Sequence, residues 1–396
     1  MSRTKLLQEL LMYRFENLYK EWKGKRLTQE EAARALGVCD RTFRRYISSF
    51  EAEGMQGLAD LRISQISHKR APVDEITRIV DLYRNHYLGW NVNHFYGFYC
   101  REHRGTRSYS WVKNVLQKEG LVAKESKRGP HGKRRERTAM AGMMLHQDGS
   151  SHQWVPGKEW DLIITFDDAT SEHYSMFFIL EEGTDSSFKG VRETIEKKGL
   201  FCSLYTDRGS HYWYTPEADK RVDKTQYTQF RRAMRQLGIE MIPAYSPEAR
   251  GRCERQFRTH QGRLPKELAL HGITEINAAN KYLKEVYMPA FNREFTVNPL
   301  CKESAFVPWN SLIALDDILC EKHERVVGKD NCVSFKRLSL QIPKDNQRCH
   351  YMRARVKIHR YISGDLAIFY GPRKLAEYDS KGILKMPLKQ QEYVAA

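Results

Sequence analysis

The sequence predicts a multidomain chain in three parts: an α-helical N-terminal region, an α/β core and a small all-β C-terminal domain. Three observations carry that prediction. Apolar residues recur at helical spacing as far as about residue 120. From Met143, short runs rich in apolar, aromatic and β-branched residues alternate with helical ones. Beyond Asn298-Pro299 only short segments remain, punctuated by Gly328, Gly364, Gly371 and Pro372.

The 396 residues, 41% of them apolar, supply real cores, and at roughly 100–200 residues per domain they suit about two to four domains. Lys and Arg number 66 against 49 Asp and Glu, a formal net charge of +17. Such a charge speaks to partners rather than fold and points to a polyanion such as nucleic acid, although a ribosome-like or membrane-surface binder would share its sign. The eight cysteines form no CxxC pair and follow no signal-peptide pattern, so reduced thiols in a cytoplasmic protein are expected. No apolar stretch reaches the roughly 18 residues of a membrane span, which predicts a soluble protein.

Residues 1–66 are expected to form a helix-turn-helix DNA-binding domain. Thr28 can cap a helix whose first turn carries Gln29, Glu30 and Glu31, with Ala32, Ala33, Ala35 and Leu36 as its apolar face. Gly37-Val38 breaks it, and Asp40 can cap a second helix with Phe43, Tyr46, Ile47 and Phe50 inward, ending at Gly54. Arg41, Arg44 and Arg45 then point outward as candidate DNA contacts of a helix that enters the major groove. An ordinary helical hairpin with a solvated basic face has the same pattern.

Residues 67–123 read as a second helical DNA-binding domain, with Ile76, Ile79, Val80 and Tyr83 at helical spacing and Ser108 or Ser110 ahead of Trp111, Val112, Val115 and Leu116. A helical spacer packed on the next domain is the alternative. Residues 124–140 form a basic linker: Lys124, Lys127, Arg128, Lys133, Arg134, Arg135 and Arg137 are interleaved with Gly129, Pro130 and Gly132. Such a tether is commonly just solvated, but between two DNA-contacting parts it would follow phosphates and release counterions.

The core, residues 141–297, is expected to hold strands at Met143–Asp148, Trp160–Phe166, His173–Leu180, Phe201–Thr206 and Ile239–Ala244. Helices at Ser186–Lys198 and Gln226–Leu237, the latter with Tyr227, Phe230, Met234 and Leu237 on one face, separate the later strands. A last helix runs from about Ala249 to Leu270. Three strands, then helix, strand, helix, strand, helix, is the order of a ribonuclease-H-like fold. In residues 298–396, Val326-Val327, Cys332–Phe335, Leu338–Ile342, Met352–Ile358 and Leu366–Tyr370 suggest an SH3-like β-barrel. Arg353, Arg355, Lys357 and Arg360 make one strand basic, to bind DNA or simply to hold a multimer together.

Three acids stand at the ends of core elements: Asp148 on the first strand, Asp207 just past the fourth, and Glu254 on the helix after the fifth. Carboxylates converging in that order suit a two-metal site for phosphoryl transfer, in which paired divalent ions activate the attacking oxygen and stabilise the leaving one. Mg2+ prefers hard oxygen ligands, so His or Cys would not substitute well. Asp148 is expected to bridge both ions, with Asp207 and Glu254 each serving one. Singly, Asp148 and Asp207 also read as turn residues and Glu254 as half of an exposed pair with Arg250 or Arg258. Asp167-Asp168 ends a strand where a tight turn must follow and is assigned to the hairpin, and Glu248 is placed in the loop before the last helix. Arg208, His211, Arg250, Arg252 and Arg255 would lie near the metals; the arginines could hold phosphates, and His211 either positions a water or a terminal hydroxyl or is a surface histidine.

Through Gln147-Asp148-Gly149-Ser150, Phe166-Asp167-Asp168-Ala169-Thr170, Thr228-Gln229-Phe230 and Tyr245–Arg255, the sequence resembles insertion-sequence transposases of the DDE class. It is similar to the ISNCY-type group, with a retroviral-integrase-like core. The resemblance is strong over about residues 143–270 and rests on order and character elsewhere. It implies Asp148, Asp207 and Glu254 as the triad, two Mg2+ ions with Mn2+ able to substitute, and a bacterial, nucleoid-associated setting. It further implies binding of terminal inverted repeats, nicking at the element's 3′ ends and attack of the freed hydroxyl on target DNA, the steps of DNA transposition, integration and recombination. Two ends must be joined together, so at least a homodimer on double-stranded DNA is expected. Tyr212–Thr225 looks like an insertion relative to retroviral integrases. The competing functions are a transposon-derived DNA-binding regulator without catalysis and a ribonuclease-H-like nuclease that cuts without joining.

Overall fold

The computed structural model describes residues 3–60, 71–124, 136–215, 222–223, 225–245 and 247–385. Lys127, Arg128, Lys133, Arg134 and Arg135 of the basic linker lie outside the described residues. The chain divides into two compact units, Met1–His86 and Tyr87–Ala396.

The first unit holds α1 (Arg3–Lys23), α2 (Gln29–Leu36), α3 (Asp40–Glu53) and α4 (Val73–His86). Thr28 caps α2 in a reciprocal box, its hydroxyl accepting from the Glu31 amide while the Glu31 carboxylate takes the Thr28 amide at 2.8 Å. Gly37, at φ 80°, closes the helix in a left-handed conformation that other residues rarely adopt. Phe15 and Tyr19 of α1 pack with Ala32, Ala33 and Leu36 of α2 and with Phe43 and Ile47 of α3, which fixes the helix-turn-helix and leaves Arg41, Arg44 and Arg45 exposed. Two details differ from expectation. Ala35 is exposed, because the buried stripe follows positions 32, 33 and 36. Cys39 occupies the cap position of α3, and Asp40 sits in its first turn, where a negative charge suits the helix dipole.

The second unit begins with α5 (Val92–Arg101), not anticipated because its aromatic residues obscure the period, and α6 (Tyr109–Lys118), capped by Ser108. A five-stranded sheet follows: β1 (Met144–Val155), β2 (Lys158–Asp167), β3 (His173–Ile179), β4 (Ser203–Thr206) and β5 (Glu240–Pro243), in the order β3-β2-β1-β4-β5. The β1-β2-β3 meander is antiparallel, and β4 and β5 run parallel to β1. α7 (Thr184–Lys198) and α8 (Gln229–Leu237) cover one face through Phe188, Val191, Ile195, Phe230 and Met234. α9 (Pro247–Leu270) covers the other, its Cys253, Phe257, Leu264 and Leu268 packing with Ile164, Phe166 and Met176, and α10 (Ile276–Tyr282) and α11 (Met288–Phe295) extend that layer. Tyr227 lies before α8 and is 46% exposed, because Thr228 caps the helix and starts it one residue later. β1 runs past Asp148 to Val155: its polar second half pairs with β2 through backbone bonds that need no apolar side chain.

The C-terminal part comprises β6 (Glu321–Val326), β7 (Cys332–Phe335), β8 (Leu338–Gln341), β9 (Arg355–Arg360), β10 (Leu366–Tyr370) and β11 (Arg373–Tyr378). They form a sheet in the order β11-β10-β9-β6 and a β7-β8 hairpin around a shared core with Val333, Leu340, Ile358 and Ile368. Arg353, at φ 58°, precedes β9 rather than lying on it, and Arg360 pairs with Glu321 and Asp185. No described helix is long and apolar enough to cross a membrane.

Candidate active site

Side chains alternate along a strand, so β1 sends His146, Asp148 and Ser150 to one face and Gln147 and Gly149 to the other. Contacts identify the faces. His146 stacks on Phe166 with ring centroids 4.9 Å apart, and its Nδ1 lies 3.6 Å from Cys253 Sγ on α9. Ser150 Oγ accepts from Gln261 of the same helix at 3.1 Å, whereas the Gln147 amide donates to Ser187 O on α7. Asp148 therefore faces α9, between two fixed contacts.

In the parallel β1–β4 ladder His146 is the partner of Tyr205, and their rings meet at 5.1 Å. Asp148 lies two residues beyond His146 on β1, and Asp207 follows the last residue of β4, Thr206. The Gly149 amide donates to Asp148 Oδ1 at 3.1 Å and the Gly209 amide to Asp207 Oδ1 at 2.9 Å. Burial pushes the nearby Tyr212 hydroxyl well above its usual pKa, and the charges of Glu182, Asp148 and Asp207 add to that rise. Asp148 is only 5% exposed.

Glu254 is exposed on α9, one residue after Cys253 and seven before Gln261. Seven residues make nearly two turns, so Glu254 shares the helix face that Gln261 turns toward β1. Among the described residues, no three acidic, histidine or cysteine side chains gather closely enough to enclose an ion. The donor chemistry nevertheless fits Mg2+, because Asp148, Asp207 and Glu254 all offer hard carboxylate oxygens.

The other candidates have separate environments. Asp167, at the end of β2, accepts from the amide of Thr170 in the β2–β3 turn and from that of Gly142 ahead of β1, and burial raises its pKa. Asp168 is fully buried; it bonds His146 Nε2 at 2.7 Å, accepts from the Thr138 amide and pairs with Arg252. Burial pushes its carboxyl up, but the bonds from His146 and Arg252 outweigh that and hold it well below the usual range. Arg252 is thus engaged by Asp168, and Arg137 donates to the carbonyls of Asp168 and Ala169 in the same turn. Arg208 lies over the half-exposed Tyr245 ring at 5.7 Å, and Arg255 is exposed beside Glu254. Arg250 falls in the first turns of α9, where only the backbone is described, and Glu248 lies on that helix rather than in a loop, because the helix starts at Pro247. His211 Nε2 lies 3.4 Å from Glu182 Oε1. Sequence reasoning missed Glu182: it sits between strand and helix with no local pattern to mark it.

A model described as a winged helix-turn-helix matches residues 17–73. The chain resembles insertion-sequence transposases. It is 27% identical over 366 residues to a Sinorhizobium fredii protein named "Putative transposase y4bF", covering 91% of this chain and 79% of that one. It is 26% identical over 266 residues to the transposase for insertion sequence IS1202 of Streptococcus pneumoniae, covering 65% of this chain and 57% of that one. Among solved structures, a chain of the simian T-cell lymphotropic virus intasome in complex with PP2A regulatory subunit B56 gamma aligns over 79% of this chain and all of that one, at 13% identity and a TM-score of 0.33. The HTLV-2 integrase catalytic core domain in complex with magnesium aligns over 37% of this chain and 89% of that one, at 14% identity and a TM-score of 0.28.

Proposed function

We propose that this chain is a DDE transposase, a polynucleotidyl transferase that binds the terminal inverted repeats of an insertion sequence, nicks at their 3′ ends and transfers those ends to target DNA. One observation supports the reading most: β1, which turns Asp148 toward the helix that bears Glu254, pairs with β4, which ends next to Asp207. The similarity to insertion-sequence transposases supports it along most of the chain.

Asp148, Asp207 and Glu254 would hold two Mg2+ ions, which when bound activate the attacking oxygen and stabilise charge on the leaving one. Asp148 is paired into the sheet opposite Ile164, and Asp207 would be presented by the turn that follows β4. Exposed Arg255 stands beside Glu254 to meet a phosphate. Arg41, Arg44 and Arg45 on α3 would read the element's ends. We assign residues 1–66 and 67–123 to end binding, 124–140 to a tether, 141–297 to catalysis and 298–396 to an SH3-like barrel, with at least two copies of the chain acting on paired ends.

The test is to incubate the purified protein with Mg2+, a labelled element end and a supercoiled plasmid. Nicked ends and joined products are expected, and both are lost in Asp148→Ala and Glu254→Ala. Activity that survives those substitutions overturns the assignment of the triad. End binding by the unaltered protein without nicking leaves a DNA-binding regulator, and nicking without joining leaves a nuclease.

A further inference from the structure

On the sheet face opposite α9, Glu182 and His211 pack against the backbone that carries the two aspartates. The Glu182 carboxylate occupies the space next to residue 149: a β-carbon there would lie 2.2 Å from Glu182 Oε2 and 2.6 Å from Cδ. No left-handed backbone calls for glycine at position 149, so Glu182 itself explains why the residue after Asp148 has no side chain. Glu182 is anchored at its own amide, which donates to Asp161 Oδ2 at 2.7 Å.

Its other oxygen, Oε1, faces His211 Nε2 at 3.4 Å, and both side chains are largely sheltered from solvent. His211 belongs to the turn that presents Asp207. In that turn the Gly209 amide donates to Asp207 Oδ1, and the amides of Tyr212 and Trp213 both donate to Gly209 O. The Trp213 indole donates to Thr206 Oγ1 at 2.9 Å and the Tyr212 hydroxyl to Gln147 Oε1 at 3.1 Å. The His211 ring packs so closely on Gly209 that a β-carbon there would meet its Cε1 at 2.9 Å and Asp207 Oδ1 at 3.0 Å. Glu182 thus touches the backbone next to one aspartate and a side chain of the turn that carries the other.

We infer that Glu182 and His211 are a positioning pair: Glu182 packs behind Asp148 and, through His211, holds the turn that presents Asp207. The inference rests on the proposed transposase reading, since it assigns these residues to the support of that site. Strand β4 is only four residues long, so the turn that follows depends on side-chain ties for its precision.

The test measures amide hydrogen exchange at Gly209, Tyr212 and Trp213 together with end binding and nicking, in Glu182→Gln, Glu182→Asp, His211→Ala and the Glu182→Gln/His211→Ala double variant. Supporting ties of this kind are worth about tenfold or more, so exchange should quicken and nicking slow by about that factor in Glu182→Gln and His211→Ala. Glu182→Asp should recover part of the loss, the double variant should be no worse than the singles, and end affinity should hold. Unchanged exchange in both single variants, or losses that multiply in the double variant, would overturn the pairing. Should Glu182→Gln fail to fold, Gly149→Ala tests the same contact: it should displace Glu182 and quicken exchange in the otherwise unaltered protein, and add nothing in a Glu182→Ala background. If the unaltered protein nicks no DNA, the transposase reading fails while the exchange rates still decide whether the pair holds the turn.

Discussion

Asp148 is buried on β1, and Asp207 directly follows the neighbouring strand β4. In the proposed site the two carboxylates share one pair of ions, and like charges brought together repel when no ion lies between them. Without divalent ions, Asp148→Asn should therefore raise the unfolding free energy, by about 0.5–1 kcal/mol on the scale of cross-strand charge pairs. The same substitution should slow DNA nicking by about a thousandfold, corresponding to several kcal/mol of lost charge stabilisation. Urea titrations in chelator, paired with nicking rates in Mg2+, check both halves. A variant less stable than the parent would show that Asp148 has a structural role.

At the scale of elements, Asp168 ties three segments together: the strand-leading residue Thr138, His146 on β1 and Arg252 on α9. Removing one member of a buried, hydrogen-bonded charge pair costs about 3–5 kcal/mol, so Asp168→Ala should lose about that much at pH 7. The native pKa of Asp168 is depressed, so its contribution is full above the unfolded value of about 3.9 and fades as pH falls through the native one. Urea unfolding at pH 7 and pH 3 should show the gap between parent and variant narrowing in acid. The elements around this cage were legible to differing degrees. The helices and sheet strands followed from period and caps, and Asp167-Asp168 followed from the need for a turn after β2. The pairing of Arg252 with Asp168 was not legible, because the two lie far apart in sequence and no local pattern reports such a pair. β11, a polar strand, formed because β10 offers it a backbone edge, and Glu182 acquires meaning only once β1 lies beside it.

For the molecule as a whole, two features govern its response to solution conditions. Burial lowers the pKa of His94, His173, His260 and His359, His173 to about 3. Unfolded histidines take a proton below about 6.5 while these buried ones resist, so native stability falls as pH drops from there, by up to about 1.4 kcal/mol per pH unit for each. Unfolding midpoints in urea should therefore fall between pH 7 and pH 5, before Asp168 begins to titrate; a flat profile would contradict the burial of these rings. The net charge of +17 makes the second feature ionic strength, because each phosphate neutralised releases counterions and steepens the salt dependence of binding. The exposed arginines of α3 allow that dependence to separate a recognition helix from a merely basic hairpin. If Arg41, Arg44 and Arg45 all contact phosphates, replacing the three with Ala should reduce the slope of log affinity against log salt by about 3 and weaken end DNA and scrambled DNA alike. If one of them reads a base edge, the end should lose about 1–3 kcal/mol more than the scrambled duplex. Equal affinity and an unchanged slope for the triple variant would remove α3 from the DNA interface.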